Sequence, residues 1–186
     1  MSRAGMAGLI QRVRSLAYAG TAEYTLGTAT FWDDDQIEQV LDRHRVDIFR
    51  ERLTREPTYD GSGTVVYRVH YSAYGNLEAG TALVIEDSSG VDRGTATYSV
   101  DYQTGRIEFG ADVAGTTLYM TARSYDPFGA AAEVLEGWAT SMSRQFDFST
   151  DGQSFSVSQK AKGMREQARE MRKRARVGRK QMRTGQ

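Results

Sequence analysis

At 186 residues the chain can bury a core without disulfides, and with no cysteine and only two histidines, His44 and His70, it excludes thiol nucleophiles and nearly every zinc arrangement. Its 24 basic and 24 acidic side chains cancel unevenly: residues 172–186 hold seven bases and no acid, and residues 1–20 hold Arg3, Arg12 and Arg14 and no acid. An acidic body therefore carries two basic ends, and a single net charge of zero hides them.

Met6, Leu9, Ile10, Val13 and Leu16 recur at three- and four-residue spacing opposite Gln11, Arg12 and Arg14, which predicts an amphipathic helix over 5–18 stopped by Gly20. The arginines interrupt what would have to be an apolar run of roughly 7–15 residues in a signal peptide, and no stretch approaches the ~18 apolar residues of a membrane span. A cytoplasmic protein with no membrane partner is expected. Residues 31–37 start a second helix, with Asp33 as cap, Gln36 three places on as in a capping box, and Trp32 and Ile37 as a staple, running to about Arg45.

From 46 to 125 the period changes to two. Val65, Tyr67, Val69 and Tyr71 alternate with Val66, Arg68, His70 and Ser72, and further strands are expected at 46–55, 81–87, 96–102, 106–110 and 116–125. Turn residues at 60–63, 87–90 and 103–106 separate them, giving about six strands in a small antiparallel sheet or barrel. After Pro127 the helical period returns with Ala131, Val134, Leu135, Trp138, Met142 and Phe146 on one face. A loop at 147–152 follows. The last helix is expected from Ser156, which with Gln159 can form a capping box, and it carries Val157, Ala161, Met164, Ala168, Met171 and Ala175 on a soft face able to approach another helix closely. Past Ala175 a flexible tail is expected.

The expected fold is α+β: a helical bundle from 1–45 and 127–175, an inserted small antiparallel sheet or barrel at 46–126, and a long C-terminal helix with a basic docking tail at 176–186. The Asp33-Asp34-Asp35 run is read as an acidic first helical turn, since no Asp-x-Asp loop with a distal glutamate follows that would make a cation site. Both histidines are expected at surface or rim positions, with no nucleophile held against a base, so neither catalysis nor a cofactor or metal is expected. The candidate docking residues are Arg172, Lys173, Arg174, Arg176, Arg179, Lys180 and Arg183; the candidate subunit or helix packing residues are Trp138, Met142, Val157, Met164 and Met171. Tyrosines at 67, 71, 74, 98, 102, 119 and 125 keep open an alternative, a nucleic-acid-binding β-barrel whose basic tail contacts phosphates.

The run Ala130-Ala131-Ala132-Glu133-Val134-Leu135-Glu136-Gly137-Trp138-Ala139, followed by Asp147-Phe148-Ser149-Thr150-Asp151-Gly152-Gln153-Ser154 and Ser158-Gln159-Lys160, resembles the head-tail connector (adaptor) proteins of long-tailed double-stranded-DNA bacteriophages, mainly over 128–176. The resemblance implies a virion structural protein, made in the host cytoplasm and placed in the neck. Such proteins form a ring, usually a dodecamer, beneath the portal protein, join it to the stopper or tail-terminator, and pass DNA through the centre without sequence recognition. It implies portal docking by the tail, and no catalytic residue. Connectors of this type are mostly helical, so the resemblance carries no role for the β insertion.

Overall fold

The computed structural model describes residues 2–21, 23–26, 29–142, 148–150, 153–155 and 157–175. Helical and strand periods sort into two compact units, one built from Met1–His44 and Asp126–Arg176, the other from Arg45–Tyr125.

The first unit begins with a 3-10 turn and α1 (Ala7–Ala17), which buries Met6, Leu9, Ile10, Val13 and Ala17 and ends where Tyr18 turns left-handed at φ 51°. A hairpin of β1 (Tyr24–Leu26) and β2 (Ala29–Phe31) follows, pairing Tyr24 with Phe31. The capping box at α2 (Asp34–Arg43) is complete: Gln36 N–H donates to Asp33 Oδ1 at 2.7 Å and Asp33 N–H to Gln36 Oε1 at 3.0 Å. The Asp33–Asp35 run thus begins a helix. Arg14, buried on α1, donates to Asp34 Oδ1 at 2.6 Å and to the carbonyls of Trp32 and Gly20, fastening the end of α1 to the start of α2. Arg3 adds contacts to Glu38 and Asp42.

The second unit holds β3 (Arg45–Arg52), β4 (Thr54–Tyr59), β5 (Val65–Tyr71), β6 (Val84–Asp87), β7 (Tyr98–Asp101), β8 (Arg106–Phe109) and β9 (Leu118–Tyr125). They make two antiparallel sheets, ordered β3-β9-β6 and β4-β5-β8-β7. Ile48, Leu53, Leu77, Leu83, Ile85, Ile107, Phe109, Leu118, Met120 and Ala122 form its core. Residues that read as one strand over 46–55 break at Leu53, a buried side chain whose N–H bonds the Leu118 carbonyl at 2.9 Å. On one side of it the chain pairs with β9, on the other with β5. A bulge in β3 at residues 49 and 50, with Arg50 at φ 47°, turns Phe49 outward to 83% exposure.

The chain returns to the first unit in α3 (Pro127–Met142), with proline at the first helical position and Phe128 N–H donating to Asp126 Oδ1 at 3.0 Å. Short strands β10 (Phe148–Thr150) and β11 (Gln153–Phe155) pair as a hairpin where a loop is expected from the sequence, and α4 (Val157–Arg174) follows. Helices α1, α2 and α4 each pack on α3, whose alanines are buried almost throughout.

The expected helical bundle with one small inserted sheet or barrel is therefore corrected: among the described residues the chain is α+β with four α-helices, antiparallel sheets of three and four strands and two short hairpins, and no helical bundle is indicated. The break at Leu53 gives two sheets where unbroken periodicity suggested one. The two hairpins, of three residues per strand, are too short to show a period. The expected flexible tail from residue 176 and the Ser156 cap lie outside the described residues.

Candidate functional site

Helix α4 presents two unlike sides. Ala161 and Ala168 are fully buried and Met164 nearly so, on the face that packs against α3, while Met171 is half-buried and the Val157 side chain lies outside the described residues. Small residues at these places let the two helix backbones approach closely, and Leu135, Trp138, Ala139 and Met142 of α3 are all buried. Lys160 lies over the Trp138 ring, 5.6 Å from its centroid. Gln167 Nε2 donates to the Leu16 carbonyl at 3.3 Å, tying α4 to α1 as well. The candidate packing residues Trp138, Met142 and Met164 are thus all buried within the chain, on two helices that pack together.

Of the candidate docking residues, Arg172, Lys173 and Arg174 form the exposed last turn of α4, where cations complement the helix C-terminus. Arg172 reaches Glu136 of α3 at 2.5 Å and Lys173 reaches Glu170 at 2.5 Å. The hydrogen bond from Lys173 holds the Glu170 carboxyl below its ordinary value. Both pairs are exposed, so they orient the helix end more than they stabilise it. Arg176, Arg179, Lys180 and Arg183 lie outside the described residues.

The sequence did not reveal the cations that precede this turn. Lys162, Arg165 and Arg169 are exposed on α4, and among the described residues none has an ion-pair partner. Their three- and four-residue spacing was legible, but Glu166 and Glu170 interrupt it and the denser run after residue 171 overshadows it.

Of the two histidines, His44 lies at the expected rim position and His70 does not. His44, half-buried at the end of α2, sits 3.0 Å from Glu133 Oε2, and Arg43 bonds the other oxygen of the same carboxylate. Partial burial raises the Glu133 pKa, but the bonds from Arg43 and His44 outweigh it and the carboxyl titrates below its usual range. His70 is corrected from a surface or rim position to the core, 1% exposed and edge-on to Phe109 at 5.4 Å. On β5 the structure buries Val66, Val69 and His70 together, so neither alternating set of the strand is simply the outer one. Neither His70 ring nitrogen has a partner of good geometry, and burial, only partly offset by the Arg68 carbonyl, holds the imidazole below its ordinary 6.5. A cleft of about 280 Å³ beside it is lined by Arg52, Arg55 and Thr116, but Arg55 is already held by the Gly115 carbonyl at 2.8 Å and stacks on Tyr67.

Six tyrosines of the β unit are engaged within it, while Tyr59 is exposed. Tyr74, Tyr98 and Tyr102 lean on the core, burial pushes the Tyr98 hydroxyl up to about 12, and the buried Tyr125 hydroxyl donates to Glu78 at 2.6 Å. Tyr67 and Tyr119 are covered by the guanidinium groups of Arg55 and Arg50. Among the described residues no group of three or more metal-ligating side chains gathers, and no helix is long and apolar enough to cross a membrane. No family model, curated protein or solved structure matches the chain.

Proposed function

We propose that the chain is a structural adaptor of the head-tail connector kind, a ring subunit of a bacteriophage neck that binds beneath the portal, receives the stopper or tail-terminator, and lets DNA pass through its centre. The observation that carries this reading is α4: its Ala and Met face is occupied by α3, while its last turn leads out in the densest run of cations in the chain, Arg172 to Arg183. A helix anchored along one side and basic at its C-terminal end is suited to present a docking segment to an acidic protein surface.

Assembly supplies the rest of the mechanism. A heterologous contact that closes makes a ring, and many copies of a weak tail contact then bind together through effective concentration. Large exposed aromatics, Tyr18 at 80%, Phe49 at 83% and Tyr59 at 74%, offer the apolar contacts that subunit interfaces use.

Electron microscopy of the purified chain, alone and mixed with portal, tests the proposal, with rings carrying a central channel and seated on the portal as the expected result. Deleting residues 172–186 removes the last turn of α4 together with the exposed Arg172 and Lys173 pairs, and surface pairs of this kind contribute little to stability. The truncated chain is expected to fold and to lose attachment. Absence of both rings and portal binding in the full chain overturns the reading.

A further inference from the structure

The cations of the helical unit are mostly taken up within it. Arg14 is held by Asp34 and two carbonyls, Arg3 by Glu38 and Asp42, Arg43 by Glu133, and Arg172 by Glu136. Lys162, Arg165 and Arg169 stand apart. Residues three and four apart lie on one side of a helix, so these three make a stripe about 10 Å long, on a side of α4 turned away from the buried Ala161, Met164 and Ala168. Helix α4 as a whole carries seven bases against two acids, and Glu166, nearest the stripe in sequence, forms no ion pair with it among the described residues.

We infer that this stripe, Lys162, Arg165 and Arg169, tracks the phosphate backbone of double-stranded nucleic acid without regard to sequence. The inference deepens the adaptor reading, on which the presence of DNA rests, by naming a face that meets it. Two observations favour phosphate over protein. Among the described side chains of α4 the exposed ones are Ser, Gln, Gly and charged residues, with no exposed aliphatic or aromatic residue. Protein interfaces centre on apolar and aromatic residues, which this side of the helix does not offer. A second copy of the chain also offers α2 poorly as a partner, because Asp34, Glu38 and Asp42 are already paired. A duplex presents one charge per about 1.7 Å of axis, so a 10 Å stripe spans several phosphates, and each one neutralised releases counterions.

The test is a salt titration of binding to a short duplex of arbitrary sequence by fluorescence anisotropy, using the full chain and three full-length variants. In the first variant Lys162→Gln, Arg165→Gln and Arg169→Gln are combined. The second keeps the charge, with Lys162→Arg, Arg165→Lys and Arg169→Lys. The third neutralises the tail with Gln at 176, 179, 180 and 183. The plot of log affinity against log salt is expected to be flatter by about 2 to 3 in the first variant, unchanged in the second, and steep in part in the third. All the altered side chains of the stripe are exposed, and unchanged circular dichroism checks the fold. An unchanged slope in the first variant, a salt dependence that disappears with the tail alone, or no duplex binding by the parent at low salt overturns the inference. Ring formation and portal attachment are measured on the same proteins. If the parent binds duplex through the stripe but forms no rings and ignores portal, the adaptor reading fails and the stripe stands. If the first variant keeps its duplex binding but loses rings, the stripe is a protein interface and the inference falls.

Discussion

Gly105 is the position in the β unit where a single added carbon is expected to do most damage. It sits at φ +75°, and a Cβ there would lie far inside van der Waals contact with the Tyr74 carbonyl oxygen and 3.1 Å from Ser72 Cβ. The obstacle is backbone, so relief requires the segment around Ser72 to move away from the turn at 101–106. That movement strains the bond from Ser72 N–H to the Gly105 carbonyl, 2.9 Å, and the bond from Gly105 N–H to the Asp101 carbonyl, 2.8 Å. A left-handed residue other than glycine costs ~1–2 kcal/mol, and each weakened backbone bond about 1 kcal/mol more, so Gly105→Ala is expected to destabilise the β unit by about 3–4 kcal/mol. Gly63, at φ +79° with open space around it, supplies the control: Gly63→Ala carries the conformational term alone, about 1 kcal/mol. Both tryptophans, Trp32 and Trp138, lie in the helical unit, so their fluorescence follows that unit while tyrosine near-ultraviolet dichroism follows the strands. Urea unfolding read by both probes measures the two effects. Equal losses in the two variants would refute the steric argument.

Further tests address charge and packing. His70 binds its proton less readily folded than unfolded, so its share of stability is complete above pH 6.5 and is lost as pH falls below that value toward its folded pKa. Unfolding free energy measured between pH 7 and about 5 is expected to fall, and to flatten in His70→Leu; the carboxyls of Asp112 and Glu133, both depressed, lose theirs only below their ordinary 3.8 and 4.5. Arg14→Met leaves the carbonyls of Trp32 and Gly20 without their donor and is expected to cost about 2–3 kcal/mol by urea titration, whereas Asp34→Asn, on the exposed side of the pair, costs under about 1 kcal/mol. Met164→Ala opens a hole between α3 and α4 and is expected to cost about 2 kcal/mol and to speed hydrogen exchange of α4 amides first.

What was legible from residues alone was local. The capping box at Asp33 and Gln36 needs only side chains three places apart, and it formed as read. The burial of Val134, Leu135, Trp138 and Met142 follows from spacing within one helix. What escaped depends on partners distant in sequence. Nothing near Leu53 announces that the chain changes sheets there, because the cause is a bond to the Leu118 carbonyl. His70 was assigned outward because its alternating neighbours include Arg68 and Ser72, yet β8 lies beside it and Phe109 covers the ring. The basic end of α4 was visible as a dense charge run, whereas the sparser stripe before it gained meaning only once its residues proved to have no ion-pair partner among the described residues.

The pairing of Arg45 with Tyr125 at the root of the β unit has a kinetic side. Helices α2 and α3 must find each other across about 80 intervening residues, and loop closure grows with the logarithm of that length. Once β3 and β9 have zipped, the same two helices are joined by a tie the width of one strand pair, where the Asp126 N–H meets the His44 carbonyl at 3.0 Å. By the loop-length relation the shortcut lowers the entropic cost of their encounter by about 3 kcal/mol. The folded insert is then a clasp that sets the helices to work as if they were neighbours in the chain.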